Sequence, residues 1–429
     1  MSTCNTLLPA VMGGAYDRRL AQVYCCTGSG LDAARARVQS ALESWQELYT
    51  DNPAVSVFSA PGRTELGGNH TDHQHGRVLC AGVNLDMLAC AAKNDSQQVR
   101  ILSAGYPALV VDLTSLTPRE EERETSAALV RGVAACMAAR GYPVAGFDAT
   151  VDSAVPAGSG LSSSAAYEVL VGTIFNHLFC GDALTAVEIA QIGQTAENQF
   201  FGKPCGLMDQ TASAVGGAVA IDFSNPQRPL VEKVGFDFAA SGYTLCILDS
   251  GADHADLTAE YAAITDEMGA VARALGQTCL RDVDEAAFLQ QLPTLRRKLG
   301  DRAMLRALHF FDENRRAGEE AAALDAGDFP RFLALVRESG QSSALYLQNT
   351  YATANPRQQA VPLALALAER TLRGAGAVRV HGGGFAGTIQ AFVPNDRLAD
   401  FTQEMERVLG AGSCHALCIR PVGGCVLLE

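Results

Sequence analysis

The chain has 429 residues, of which 48% are hydrophobic and 19% charged, and a formal net charge of −14. It exceeds what one hydrophobic core usually organises, so two domains or one large bilobal unit is expected and disorder is excluded. The excess of 47 acidic over 33 basic residues, without a Lys or Arg run able to track a phosphate backbone, argues against a nucleic-acid partner.

The 13 cysteines are scattered and form no paired CxxC units of zinc spacing, so they read as reduced thiols of a cytosolic protein. The N-terminal "MSTCNTLLPAVMGGAYDRRLAQ" has a short apolar patch with no basic region before it, and no later apolar run reaches membrane-spanning length. A cytoplasmic location without membrane insertion is expected.

Leu31, Ala34, Val38, Leu42, Trp45 and Leu48 recur at helical spacing. An extended "AVSVFSAPG" follows, and Pro61-Gly62 is expected to stop that strand and start a loop that ends where "RVLCAGVNLDMLACAA" resumes sheet-like hydrophobicity. Within the loop, "GGNHTDHQHG" places His70, His73 and His75 beside Asn69 and Asp72. The spacing permits a metal site, but no remote Cys or His cluster completes a ligand set. An Asn-His-x-Asp group instead offers short donors and acceptors suited to sugar hydroxyls.

Residues 126–140 read as a helix and 145–152 as a strand. Next comes "VPAGSGLSSSAAYEV". Its glycines Gly158 and Gly160, with Ser159 and Leu161, precede Ser162, Ser163 and Ser164 at the start of a helix, where unpaired amides and the helix dipole favour phosphate. A glycine turn with a serine cap is the plainer alternative; a Walker A loop is not, because its lysine is absent. A further helix covers roughly 184–200, and "AENQFFGKPCGLMDQ" puts Glu197 on it and Asp209 in a loop. Phosphoryl transfer needs a cation, a proton acceptor and often a fixed arginine, roles open to Glu197, Asp209 and Arg63.

From Tyr243 the pattern becomes a strand, "YTLCILDS", then long helices near 256–275, 302–325, 328–340 and 357–372, with strands again at "AVRVH", "TIQAFVP" and "CVLLE". Mixed blocks without regular alternation favour α+β. "GGGFAG" at 382–387 matches GxGxxG but is followed by a strand, so it reads as a glycine-rich hairpin that approaches another loop closely.

In this order, "APGRTELGGNHTDHQHG", "PAGSGLSSSAAYEV", "GKPCGLMDQ" and "HGGGFAGTIQAFV" resemble the galactokinase branch of the GHMP small-molecule kinases, from about residue 30 to the C-terminus. The resemblance implies an α+β fold: an N-terminal extension (1–30), an N-terminal lobe of ribosomal-protein-S5-like type (31–225) and a ferredoxin-like C-terminal lobe (226–429). It implies an ATP- and Mg²⁺-dependent kinase that phosphorylates the anomeric hydroxyl of galactose or a close relative. Asp209 resembles the catalytic base and Arg63 its positioning partner. Residues 156–164 would wrap the phosphates, Ser164 and Glu197 would lie on the Mg²⁺ side, and the third motif would abut the phosphate loop. Sugar contacts would come from Asn69, His70, Asp72, the backbone near Gly206, and Tyr261 at the end of "DHADLTAEY".

The chain departs from the branch signature APGR-x-N-L-I-G-E-H-T-D-Y-N-x-G. Asn69 stands where the branch has a Glu that meets the sugar C6 hydroxyl, Glu65 replaces Asn, His73-Gln74 replace Tyr-Asn, and Ala386 replaces Gly. The Asp-His-Gln run and "SGQSS" at 339–343 resemble plant galacturonokinases. An uncharged Asn69 facing C6 is expected to tolerate C6 variation, so D-galacturonate 1-kinase is the alternative within the class. A non-catalytic galactose sensor is the alternative outside it. The sequence leaves the oligomeric state open.

Overall fold

The computed structural model describes residues 2–51, 53–156, 160–252 and 257–429. After a two-residue strand β1 (Ser2–Thr3) come helices α1 (Cys4–Met12), α2 (Asp17–Tyr24) and α3 (Ser29–Leu48). Two long strands follow, β2 (Ala54–Gly67) and β3 (Arg77–Lys93), joined by the histidine-rich loop. Then come β4 (Gln98–Ser103), β5 (Leu109–Asp112), α4 (Ser126–Ala139), β6 (Phe147–Ser153), α5 (Ser163–Cys180), α6 (Ala186–Ala196), α7 (Met208–Val215), β7 (Ala218–Asp222) and β8 (Leu230–Val234).

The β2–β3 ribbon is the spine of the first sheet. One end of β3 pairs with β6, through residues 87–93, and the other with β7, through residues 77–81. Side chains alternate across it with the period of two that a pleated strand imposes. Val55, Val57, Leu88 and Cys90 pack under α1–α3, while Phe58, Ala60, Met87 and Ala89 face the core shared with α4, α5 and α6.

The expected break at Pro61-Gly62 does not occur. β2 runs through it, with a register shift between Pro61 and Arg63. A bulge tolerates a proline that has no N–H to give the ladder, and it re-aims the next side chain. The carbonyl of Pro61 accepts from Ser213 Oγ of α7 at 2.7 Å, and Arg63 N donates to Leu161 O at 2.9 Å. The strand is thereby bent onto the loop that precedes α5.

The rest of the chain builds β9 (Tyr243–Asp249), α8 (Thr258–Ala274), α9 (Glu285–Leu299), α10 (Asp301–Asp325), α11 (Phe329–Ser342), α12 (Ala360–Leu372), β10 (Ala377–Val380), β11 (Thr388–Pro394), α13 (Leu398–Leu409), β12 (Cys414–Leu417) and β13 (Cys425–Leu428). A second, antiparallel sheet has the order β10-β11-β9-β12. Cys246 and Leu248 face α12 and α13, while Leu245, Ile247 and Phe392 join the core of the first sheet. Two segments assigned by sequence to the C-terminal lobe, β8 and β13, pair instead with β7 and β2 of the first sheet. The 222–243 stretch, read as a boundary, also contributes packing: Phe236 stacks on Phe329 with ring centroids 5.3 Å apart.

Candidate active site

Four segments converge: the bulge of β2, the loop before α5, the start of α7 and the β10–β11 hairpin. Arg63 and Asp209 form a bidentate pair, with Nε to Oδ1 and Nη2 to Oδ2 both at 2.6 Å. Arg63 Nη1 also donates to the carbonyl of Gly160, and Ser162 Oγ donates to Asp209 Oδ2 at 2.7 Å. Burial raises the Asp209 carboxyl, but the Arg63 guanidinium and the Ser162 hydroxyl outweigh it and hold the group below the usual carboxylate range. Asp209 is therefore an ionised acceptor at neutral pH, and its side chain is 29% exposed.

Gly160 has φ +72°, and a Cβ there would meet Thr388 Oγ1 at 2.9 Å and His381 Nδ1 at 3.1 Å. Only glycine allows this approach of the third motif to the loop before α5. Ser162 caps α5 in the left-handed region at φ 56°. Leu161 is buried, and Ser163 and Ser164 form the first helical turn, whose N–H groups have no intrahelical partners. Gly158 and Ser159 lie outside the described residues.

Glu197 begins a π-helical turn, Glu197–Phe201, that ends α6. Its Oε1 accepts from Ser164 Oγ at 3.2 Å, and its Oε2 accepts from Gln210 Nε2 at 2.9 Å. Gln210 also donates to Glu168 Oε2 at 3.0 Å. Burial, and then the neighbouring Glu197, push the Glu168 carboxyl well above its ordinary value. The sequence reading missed both Glu168 and Gln210. Their signals are present: Glu168 lies one helical turn beyond Ser164, and Gln210 directly follows Asp209. A hydroxyl and a carboxylate are hard oxygen donors of the kind Mg²⁺ takes.

The three loop histidines diverge. His70 Nε2 lies 2.9 Å from Gly383 O, His73 Nε2 lies 3.7 Å from Asp72 Oδ1, and His75 Nδ1 lies 3.4 Å from Cys279 Sγ. Among the described residues no group of three or more His, Cys, Asp or Glu is placed to hold a metal ion. Burial, and then His73, push the His70 imidazole down to about 4. His70 is thus neutral at physiological pH, donating from Nε2 and keeping Nδ1 as an acceptor. Asp72 packs on Gly206, where a Cβ would come within 2.4 Å of Oδ2. Tyr261 donates to Gly384 O at 3.0 Å. Asp209, expected in a loop, is instead in the first turn of α7, and His70, Asp72, Gly206 and Tyr261 line one side of the hairpin and of the segment leading into that helix.

Asn69 is a correction. It is fully buried, and its amide is used up: Nδ2 donates to Glu65 Oε1 at 3.0 Å and to Gly382 O at 2.7 Å, while Oδ1 accepts from Ser343 Oγ at 3.2 Å and Asn349 Nδ2 at 2.8 Å. An amide has two N–H donors and two lone pairs, so none is left for a sugar C6 group. The expected C6 tolerance through Asn69 has no basis in this geometry.

The described residues contain no helix long and apolar enough to cross a membrane. The family model described as the GHMP kinases N terminal domain matches residues 128–217, and the one described as the galactokinase galactose-binding signature matches residues 43–93. Galactokinase from Lactococcus lactis, solved in complex with galactose, is 26% identical, with a TM-score of 0.75 over 91% of this chain and 100% of that one. Mevalonate kinase from Methanococcus jannaschii is 13% identical, with a TM-score of 0.61 over 85% and 98%. Phosphomevalonate kinase from Streptococcus pneumoniae is 13% identical, with a TM-score of 0.58 over 84% and 99%. The last two share the fold alone.

Proposed function

Because this chain belongs to the galactokinase branch of the GHMP kinases and is a galactokinase-like sugar kinase that uses ATP, we propose that it transfers the γ-phosphoryl group to the anomeric hydroxyl of galactose. The observation that carries the reading is the junction at Asp209. This carboxylate is paired to Arg63 and hydrogen-bonded to Ser162 of the phosphate-cradle segment, and it lies three residues beyond Gly206, on which Asp72 packs. A proton acceptor is thus held where a sugar loop and a phosphate cradle meet.

In this reading Asp209 accepts the proton of the acceptor hydroxyl. Arg63 keeps that carboxylate ionised and oriented, and its guanidinium offers positive charge where phosphoryl charge develops. Gly160 and the first-turn amides of α5 receive the phosphates. Neutral His70 and the side chain of Asp72 orient the sugar, with the backbone at Gly206 and the ring of Tyr261 closing the pocket. Ser164 and Glu197 would hold Mg²⁺, which when bound supplies charge neutralisation for the ATP phosphates.

The test is an ADP-release screen over galactose, galacturonate, glucose, N-acetylgalactosamine and arabinose with Mg²⁺-ATP. Galactose is expected to give the largest kcat/KM. Equal ADP release with and without every sugar would overturn the reading.

A further inference from the structure

Two buried polar side chains where β2 runs into the histidine-rich loop, Glu65 and Asn69, touch each other. Glu65 and Asn69 lie four residues apart, and the two side chains share the 3.0 Å hydrogen bond described above. Glu65, on β2, is 4% exposed and ion-paired to Arg379 of β10, which is fully buried and also donates to Leu66 O at 2.8 Å. Asn69 reaches across to Gly382 O, and the next residue, His70, reaches Gly383 O. The pair thus sets the height of the sugar loop above the β10–β11 hairpin. Helix α10 holds the same loop from beneath, since Glu313 Oε1 accepts from the backbone N–H groups of Gly68 and Asn69 at 3.1 and 3.2 Å.

We propose that Glu65 and Asn69 are a carboxylate–amide pair that acts as one positioning unit for the sugar-recognition loop. The proposal rests on the sugar-kinase reading for its kinetic consequence, though not for its structural one. Each single exchange fails for its own reason. Asn69→Glu sets two buried carboxylates side by side and removes both N–H donors. Glu65→Asn strips Arg379 of the carboxylate that accepts its Nη2 and leaves a buried cation poorly paired. Exchanging both restores one carboxylate and one amide within reach of each other. The effects are therefore coupled rather than additive.

The experiment is a double-mutant cycle of wild type, Glu65→Asn, Asn69→Glu and the double exchange, read in galactose KM, ATP KM, kcat and thermal midpoint. Each single is expected to raise galactose KM by roughly tenfold or more while ATP KM moves by less than about twofold. The double is expected to recover at least about tenfold relative to the product of the two singles, with a matching recovery in thermal midpoint. A double equal to that product would overturn the proposal. Should a single exchange not fold, Ser343→Ala decides: it removes one donor to Asn69 Oδ1 and is expected to raise galactose KM about threefold at constant ATP KM. An unchanged galactose KM in that variant would overturn the proposal. If wild type shows no sugar-dependent ADP release, the sugar-kinase reading fails. The thermal cycle then still decides whether the pair is coupled.

Discussion

Burial alone would make Asp209 hard to ionise; the guanidinium of Arg63, 2.6 Å from both carboxylate oxygens, reverses that. Two predictions follow from this balance. Asp209→Asn removes the proton acceptor and should lower turnover by roughly 10²- to 10⁴-fold with the fold intact, the usual scale for loss of a general base. Turnover near wild type would take Asp209 out of the chemistry. Arg63→Ala removes the strongest influence set against burial and leaves mainly the Ser162 hydroxyl to oppose it, so the folded-state pKa of Asp209 rises. A base works only above its pKa, so the acid limb of the kcat/KM profile should move toward neutral pH by at least about one unit, in addition to a drop in turnover. An acid limb that stays in place would mean that Arg63 does not set the ionisation of Asp209.

At the scale of elements, the π-helical turn Glu197–Phe201 places a carboxylate against Ser164 at the head of α5. Such turns often mark functional sites. Glu197→Ala should raise the Mg²⁺ concentration needed for half-maximal activity more than it raises galactose KM. Equal damage to both would make Glu197 a structural carboxylate. The hairpin gives a steric prediction: Gly384 has φ +78° and a Cβ there would fall 2.1 Å from Asn349 O. Gly384→Ala should cost at least about 2 kcal/mol in denaturant unfolding. Most helices and strands were legible because their apolar spacing is regular, as with Val38, Leu42 and Trp45 of α3. β2 was misjudged because proline and glycine are read locally as a stop, whereas the bulge and the partners of Pro61 lie far away in sequence. α9 escaped because Pro293 and a basic C-terminal turn mask its weak apolar stripe.

At the scale of the whole molecule, one core joins the two sheets. Phe329, Phe332 and Phe392 pack together with Phe236 and Phe238 at ring distances of 4.8 to 6.3 Å. Phe332 is fully buried there, so Phe332→Ala should cost about 3–5 kcal/mol and destabilise both sheets in one calorimetric transition. Two separate transitions would show that the lobes unfold independently. The ordered motifs made Arg63, Asp209 and the serine-rich turn legible as candidates, because each motif keeps its residues within a short segment; that Arg63 and Asp209 pair with each other, 146 residues apart, is not written in any one segment. The role of Asn69 was not legible, since its four partners are Glu65, Ser343, Asn349 and Gly382, three of them more than 270 residues away. The most direct test of the account is ³¹P NMR of the product formed from ATP and galactose. Phosphate on the anomeric oxygen, with its phosphorus coupled to the anomeric proton, is the predicted result. Phosphate on another oxygen, or inorganic phosphate alone, would contradict it.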